Sequence, residues 1–335
     1  MIRKILLRLI WLLILFLSTA CEPSLSELEV RSTSVATDVI KTQADVLTPT
    51  QSPIPTTTSA PTPVVPSDFE GIEDLIPLFN YDADADRDLD LGQESVQIQD
   101  ISYISPMGGR VTGFLVVPPG EGPFAGIIYM HGAQGSRSSF LDEAVRMAEL
   151  GAVSLLIDGL PSRPEPWRRE SAVADLTLYR SIQIQTTIDL RCGVEVLLSL
   201  PDVDASRLGF VGHGYGAILG SLLAGVEHRI KAYVLMAGYP RFSDALPPEL
   251  RTEQFTETMD PIDPIHYIGN AAPSALFFQY GFDDESLPPD LALNFIDYAR
   301  EPRLVKFYET GHMLNYQAFL DRAEWMTTQL GLGGG

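Results

Sequence analysis

Cysteine is nearly absent from this chain: Cys21 and Cys192 are its two thiols among 335 residues. At most one disulfide can form, so neither a disulfide framework nor a cysteine-rich zinc pattern holds the fold. Basic residues are scarce too. Lys and Arg number 23 against 44 Asp and Glu, a formal net charge of −21. That leaves no basic footprint for nucleic acid and favours a self-repelling, soluble surface. Long apolar runs are missing as well. The run 9–17 holds nine residues, too few to cross about 30 Å of hydrocarbon at about 1.5 Å per residue.

What stands at the N-terminus instead is an address. Arg3, Lys4 and Arg8 precede that short apolar run, and Ser18, Thr19 and Ala20 follow it, directly before Cys21. A positive segment, a short apolar core and small residues before a cleavage point describe a secretory signal. With Cys after Ala20 the segment resembles a bacterial lipoprotein signal (1–20), although Ser18 stands where Leu is usual. The resemblance implies lipidation of Cys21 and a membrane anchor on the extracytoplasmic side, with plain secretion as the alternative. Cys192 then has no disulfide partner and is expected to be a buried, inert thiol.

Residues 21–68 are rich in Pro, Thr and Ser and poor in large apolar residues, so they are expected to form a disordered linker. An acidic run, Asp82 to Asp90 at alternate positions, resembles a calcium loop. The loop's sixth and twelfth places need Gly and Glu but hold Arg87 and Gln93, so a solvated edge is expected. From residue 69 to 335 the pattern is that of one α/β domain. Strands are expected at 96–104, 111–117, 125–130, 152–157, 208–211, 231–236, 274–280 and 303–308. Helices are expected at 140–150, 173–200, 290–299 and 316–330, with a Pro-rich, cap-like excursion at about 240–270. Short apolar strands alternating with helices imply a mostly parallel sheet covered on both faces. Ligands then bind at the carboxyl ends of the strands.

The most informative absence is local. Gly212-His213-Gly214-Tyr215-Gly216 follows a buried strand and opens a helix, the setting in which Gly-x-Ser-x-Gly exposes a nucleophilic hydroxyl. Here the central position is Gly214 and carries no hydroxyl. His131-Gly132-Ala133-Gln134-Gly135 ends an early strand, Asp283-Asp284 ends a late one, and Gly311-His312 ends the last. Together these segments resemble the dienelactone hydrolase and acyl-esterase branch of the α/β-hydrolases, which is also related to prolyl oligopeptidase catalytic domains. The resemblance covers about 69–330 and is strongest over 200–216, with Gly in place of Ser. It implies Asp284 (rather than Asp283) as the acid, His312 as the base, and an oxyanion hole from Gly132 or Ala133 with the N–H of Tyr215. No cofactor or metal is implied.

Other groups have plainer expected roles. His131 is expected to brace its loop, Arg137 to be a solvated loop residue, and His213 to point away from the His312 pocket. The Tyr215 phenol is a poor nucleophile near neutral pH. Ser136, Ser138 and Ser139 lie on the oxyanion loop but lack elbow geometry. Glycine adopts positive φ without steric cost, so Gly214 is easily tolerated once selection for chemistry ends. Two functions follow from these residues. One is an impaired hydrolase acting as a tethered binding or scaffold protein for a small acyl or ester-like ligand. The other is an acyl hydrolase in which His312 and Asp284 activate water, or a nucleophile outside the elbow takes over.

Overall fold

The computed structural model describes residues 71–80, 95–170 and 174–333. The signal 1–20, Cys21, the linker 21–68 and the acidic run 82–90 lie outside the described residues.

A one-turn helix, α1 (Ile72–Leu75), precedes the sheet. The strands are β1 (Gln97–Ile104), β2 (Arg110–Val117), β3 (Phe124–Met130), β4 (Ala152–Ile157), β5 (Val203–His213), β6 (Ile230–Met236), β7 (Ala275–Gly281) and β8 (Arg303–Tyr308). They form one sheet of order β1-β2-β4-β3-β5-β6-β7-β8. The β1–β2 and β2–β4 pairs are antiparallel. All other pairs are parallel, so the sheet is mostly parallel, as the strand–helix alternation predicts.

β3 and β4 are buried at every residue, which explains why they read as continuous apolar runs rather than alternating ones. Side chains of successive strand residues face opposite sides. Leu208 and Phe210 join the core shared with α3 (Leu176–Leu198) and α4 (Tyr215–Val226). Val211 faces the other core, with Met147 of α2 (Leu141–Glu149) and Met326 of α7 (Tyr316–Leu330). Residues 216–226 of α4 are buried throughout, which suits a helix that is apolar on every side. Cys192 is fully buried in α3.

The excursion after β6 is a series of tight turns around one short helix, α5 (Glu253–Met259). Pro247, Pro248, Pro261 and Pro264 interrupt it, and proline inside a helix removes a hydrogen bond and clashes one turn back. Thr252 caps α5 by accepting from the Phe255 N–H. The crossover from β7 to β8 is α6 (Pro289–Ile296), shorter than the expected 290–299.

Candidate active site

β5 ends at His213, and at Gly214 the chain turns with φ +52° and ψ −109° before entering α4. The Gly214 N–H donates to the Met236 carbonyl at 2.8 Å, and its own carbonyl accepts from Ala217 and Ile218 at 3.0 Å each. The three glycines of the turn serve different purposes. A Cβ on Gly212 would overlap the Gly216 carbonyl, and a Cβ on Gly216 would overlap the Met130 carbonyl. Both are needed so that strand and helix can approach. A Cβ on Gly214 would meet one neighbouring atom within 4 Å, His312 Nε2 at 3.3 Å. There only the positive φ favours glycine.

His312 sits in the loop between β8 and α7, with its Nδ1 2.7 Å from Asp284 Oδ2. The other carboxylate oxygen of Asp284 accepts from the Ser286 hydroxyl at 2.7 Å and from the N–H groups of Ser286 and Leu287 at 3.0 and 3.1 Å. Burial opposes its charge, but the hydrogen bonds from His312 and Ser286 prevail and hold the carboxyl below its ordinary value. Asp284 is buried and Asp283 exposed. The geometry therefore brings Gly214, His312 and Asp284 together. The Nδ1–H pointing at Asp284 leaves Nε2 free to accept a proton on the Gly214 side.

The loop after β3 is pinned by His131. Its Nδ1 donates to the Gly132 carbonyl at 2.7 Å and its Nε2 accepts from the Gly159 N–H at 2.9 Å. Burial lowers its pKa, and with both nitrogens engaged the ring braces the turn. Gly132, Ala133 and Tyr215 line the same cavity as Gly214 and His312. Tyr215 is the first residue of α4, where backbone N–H groups have no intrahelical partner. Its phenol is buried, and burial raises its pKa. Of the three loop serines, Ser139 reaches the cavity; its hydroxyl accepts from the Ser136 N–H at 3.1 Å.

Two expectations are corrected. His213 does not point away: its ring lies 5.0 Å from that of His312, and its Nε2 donates to the His312 carbonyl at 2.9 Å. It shares the sheet face of Val211, two residues earlier, and that face packs on the element following His312. Arg137 is only partly exposed and does not line the cavity. It pairs with Asp100 at 2.8 Å and Asp158 at 3.5 Å, and its guanidinium lies over the Phe114 ring.

The cavity encloses about 1080 Å³. Tyr239, Phe242 and Leu246 of the excursion form part of its wall. Tyr239 also donates to the Ser286 hydroxyl at 2.9 Å, linking the cap to the loop that holds Asp284. Another wall went unread in the sequence: Glu143 and Arg146 of α2, with Phe319 and Arg322 of α7. Glu143 and Arg322 are 179 positions apart, and no local pattern announces such a pair. Among the described residues, no group of three or more His, Cys, Asp or Glu is placed to hold a metal ion.

No family model matches the chain. Over 152 residues it is 32% identical to the bile acid-CoA:amino acid N-acyltransferase of Mus musculus, a stretch covering 44% of this chain and 31% of that protein. The chain thus spans about a third of the length of this curated relative. The acetyl xylan esterase from Paenibacillus sp. R4 superposes with a TM-score of 0.63 at 19% identity, covering 77% of this chain and 92% of the other. Acetyl xylan esterase 1 from Thermoanaerobacterium sp. JW/SL YS485 gives 0.63 at 16% identity, over 81% and 96%. With its strand order and these structural neighbours, the chain has the α/β-hydrolase fold.

Proposed function

We propose that this protein is an esterase-type α/β-hydrolase scaffold that has given up covalent catalysis and binds a small acyl or ester-like molecule. The carrying observation is Gly214: the elbow turn, the base and the acid are assembled around a position with no hydroxyl. Without that oxygen no acyl-enzyme forms at the elbow. The cavity remains, walled by apolar and aromatic side chains together with charged and polar groups, and such a concave, mixed lining suits a small molecule. The names of the similar proteins, acetyl xylan esterase and bile acid-CoA:amino acid N-acyltransferase, both specify acyl compounds. Tethering through lipid on Cys21 is part of the proposal, resting on the signal-like segment before it. A fluorophosphonate probe tests the central claim. The native protein is expected to remain unlabelled, and labelling of it would sink the proposal.

One observation favours a second function. His312 remains bonded to Asp284 at 2.7 Å, and its Nε2 faces the space beside Gly214. Water held there can lose a proton to Nε2 while its oxygen adds to an acyl carbon. The proton then passes from His312 to the departing alkoxide. Hydrolysis of an activated ester by the native protein, compared with His312→Ala, separates the two functions. Equal rates exclude water activation by the dyad.

A further inference from the structure

Four charged side chains line the cavity besides its histidines: Asp142, Glu143, Arg146 and Arg322. Two of them neutralise each other. Arg322 Nη2 lies 2.6 Å from Glu143 Oε2, and Arg322 Nε lies 3.1 Å from both carboxylate oxygens. Asp142 is exposed in the first turn of α2, where the helix dipole favours a negative charge.

Arg146 is different. Among the described residues no carboxylate lies within 4.0 Å of its guanidinium, although the chain has 44 acidic residues. Arg110, Arg169, Arg180, Arg207 and Arg251 also lack a carboxylate at that distance, but each donates to an oxygen of Ser102, Gln185, Thr258, Leu330 or Leu246, whereas the Arg146 guanidinium makes no such bond among the described residues. Arg146 lies instead over the ring of Phe319, with its Cζ 5.7 Å from the centroid, within cation–π range. That contact positions the guanidinium against the cavity without using its hydrogen-bond donors. Met313 and Tyr316, largely apolar side chains of the same cavity, are 78% and 66% exposed, and the Tyr316 ring lies 5.5 Å from that of Phe319. An unpaired cation and uncovered apolar surface thus share one wall.

We propose that Arg146 is the anion-recognising group of this cavity, and that the ligand is an amphiphilic acid. Its apolar body would cover Met313, Tyr316 and Phe319, and its carboxylate or sulfonate would accept from Arg146. This rests on the cavity being a ligand site, as proposed above. Planar guanidinium suits a carboxylate through two parallel hydrogen bonds. Because the group is exposed, the gain is modest, about fivefold in affinity.

Calorimetric titration with dodecanoate and with its methyl ester tests the assignment. The native protein is expected to bind the acid about fivefold more tightly than the ester, with the preference shrinking at high salt. Arg146→Gln is expected to bring the acid down to the affinity of the ester, Arg146→Lys to keep part of the preference, and Asp142→Asn to enlarge it. Equal binding of acid and ester by the native protein overturns the role of Arg146 while leaving the ligand site standing. Binding of neither compound overturns both.

Discussion

His312 Nε2 stands 3.3 Å from the point where a Cβ on Gly214 would lie. The base is therefore still aimed at the nucleophile position, held by a buried carboxylate that accepts four hydrogen bonds. Gly214→Ser is the direct consequence. Such a serine would occupy the φ +52° turn at a cost of about 1–3 kcal/mol, lowering Tm by several degrees. It is expected to take up a fluorophosphonate label and to raise p-nitrophenyl acetate hydrolysis at least about 100-fold. That falls well below the roughly 10⁶-fold that a native nucleophile contributes in a serine protease. An unlabelled, folded Gly214→Ser protein would mean that the hydroxyl does not reach His312.

The neighbouring Gly216 should tolerate substitution less well. Gly216→Ala places a methyl into the Met130 carbonyl, and backbone cannot step aside as a flexible side chain can. We expect destabilisation at or above the upper end of the about 1–3 kcal/mol typical of overpacking. Gly214→Ala should cost less, since His312 alone stands near it. Urea denaturation of the two variants gives the order, and a more stable Gly216→Ala would contradict the packing.

Asp263 gives the cap a pH dependence. It is buried, one oxygen accepting from the Phe242 N–H at 2.9 Å and Arg241 lying 3.6 Å from the other. Burial raises its pKa to about 7, partly offset by the Phe242 N–H and by Arg241 and reinforced by Asp260 and Asp244. A carboxyl raised in the folded state binds its proton more tightly there than in the unfolded chain. Its contribution is fully present below the ordinary value of 3.8 and is lost as pH rises toward about 7. Asp263→Asn keeps an acceptor for Phe242 and removes the titration. The variant is therefore expected to gain on the parent between pH 5 and pH 8, by an amount of the order of a few kcal/mol. Parallel melting curves at the two pH values check the sign.

The fold was legible because its signals are local. Continuous apolar runs mark β3 and β4, and the glycine spacing of 212, 214 and 216 marks the strand–helix turn. Asp284 and His312 were singled out through the resemblance to the α/β-hydrolases, and each lies in the loop after a strand, at the sheet end where a parallel sheet gathers its ligands. His213 was misjudged because its direction depends on which sheet face the His312 loop crosses, a tertiary fact. The direction of Arg137 is tertiary for a similar reason: Asp100 lies in β1 and Asp158 directly after β4. The α2–α7 wall of the cavity joins segments at opposite ends of the domain, and no periodicity within either one points to the other.

The buried pair Arg163–Asp189 carries the last prediction. Both side chains are fully buried and 2.5 Å apart. Asp189 also accepts from the Ser105 hydroxyl at 2.6 Å, and Arg163 Nε donates to the Asp158 carbonyl at 3.2 Å. Together they bind the start of the β1–β2 turn and the segment after β4 to the middle of α3. Burial raises the Asp189 pKa, with Arg163 and Ser105 working against the rise. Arg163→Met removes that opposition and leaves a buried carboxylate without a counter-charge, at a cost of about 3–5 kcal/mol. The same change pushes the Asp189 pKa further up, so the deficit should be smaller at pH 5 than at pH 8, where the orphaned group is forced to ionise or the fold to open. The double variant Arg163→Met/Asp189→Leu replaces both charges with apolar atoms and is expected to recover most of the loss. A double variant no more stable than Arg163→Met at pH 8 would show that hydrogen bonds to Asp189, rather than its compensated charge, hold α3 to the hairpin.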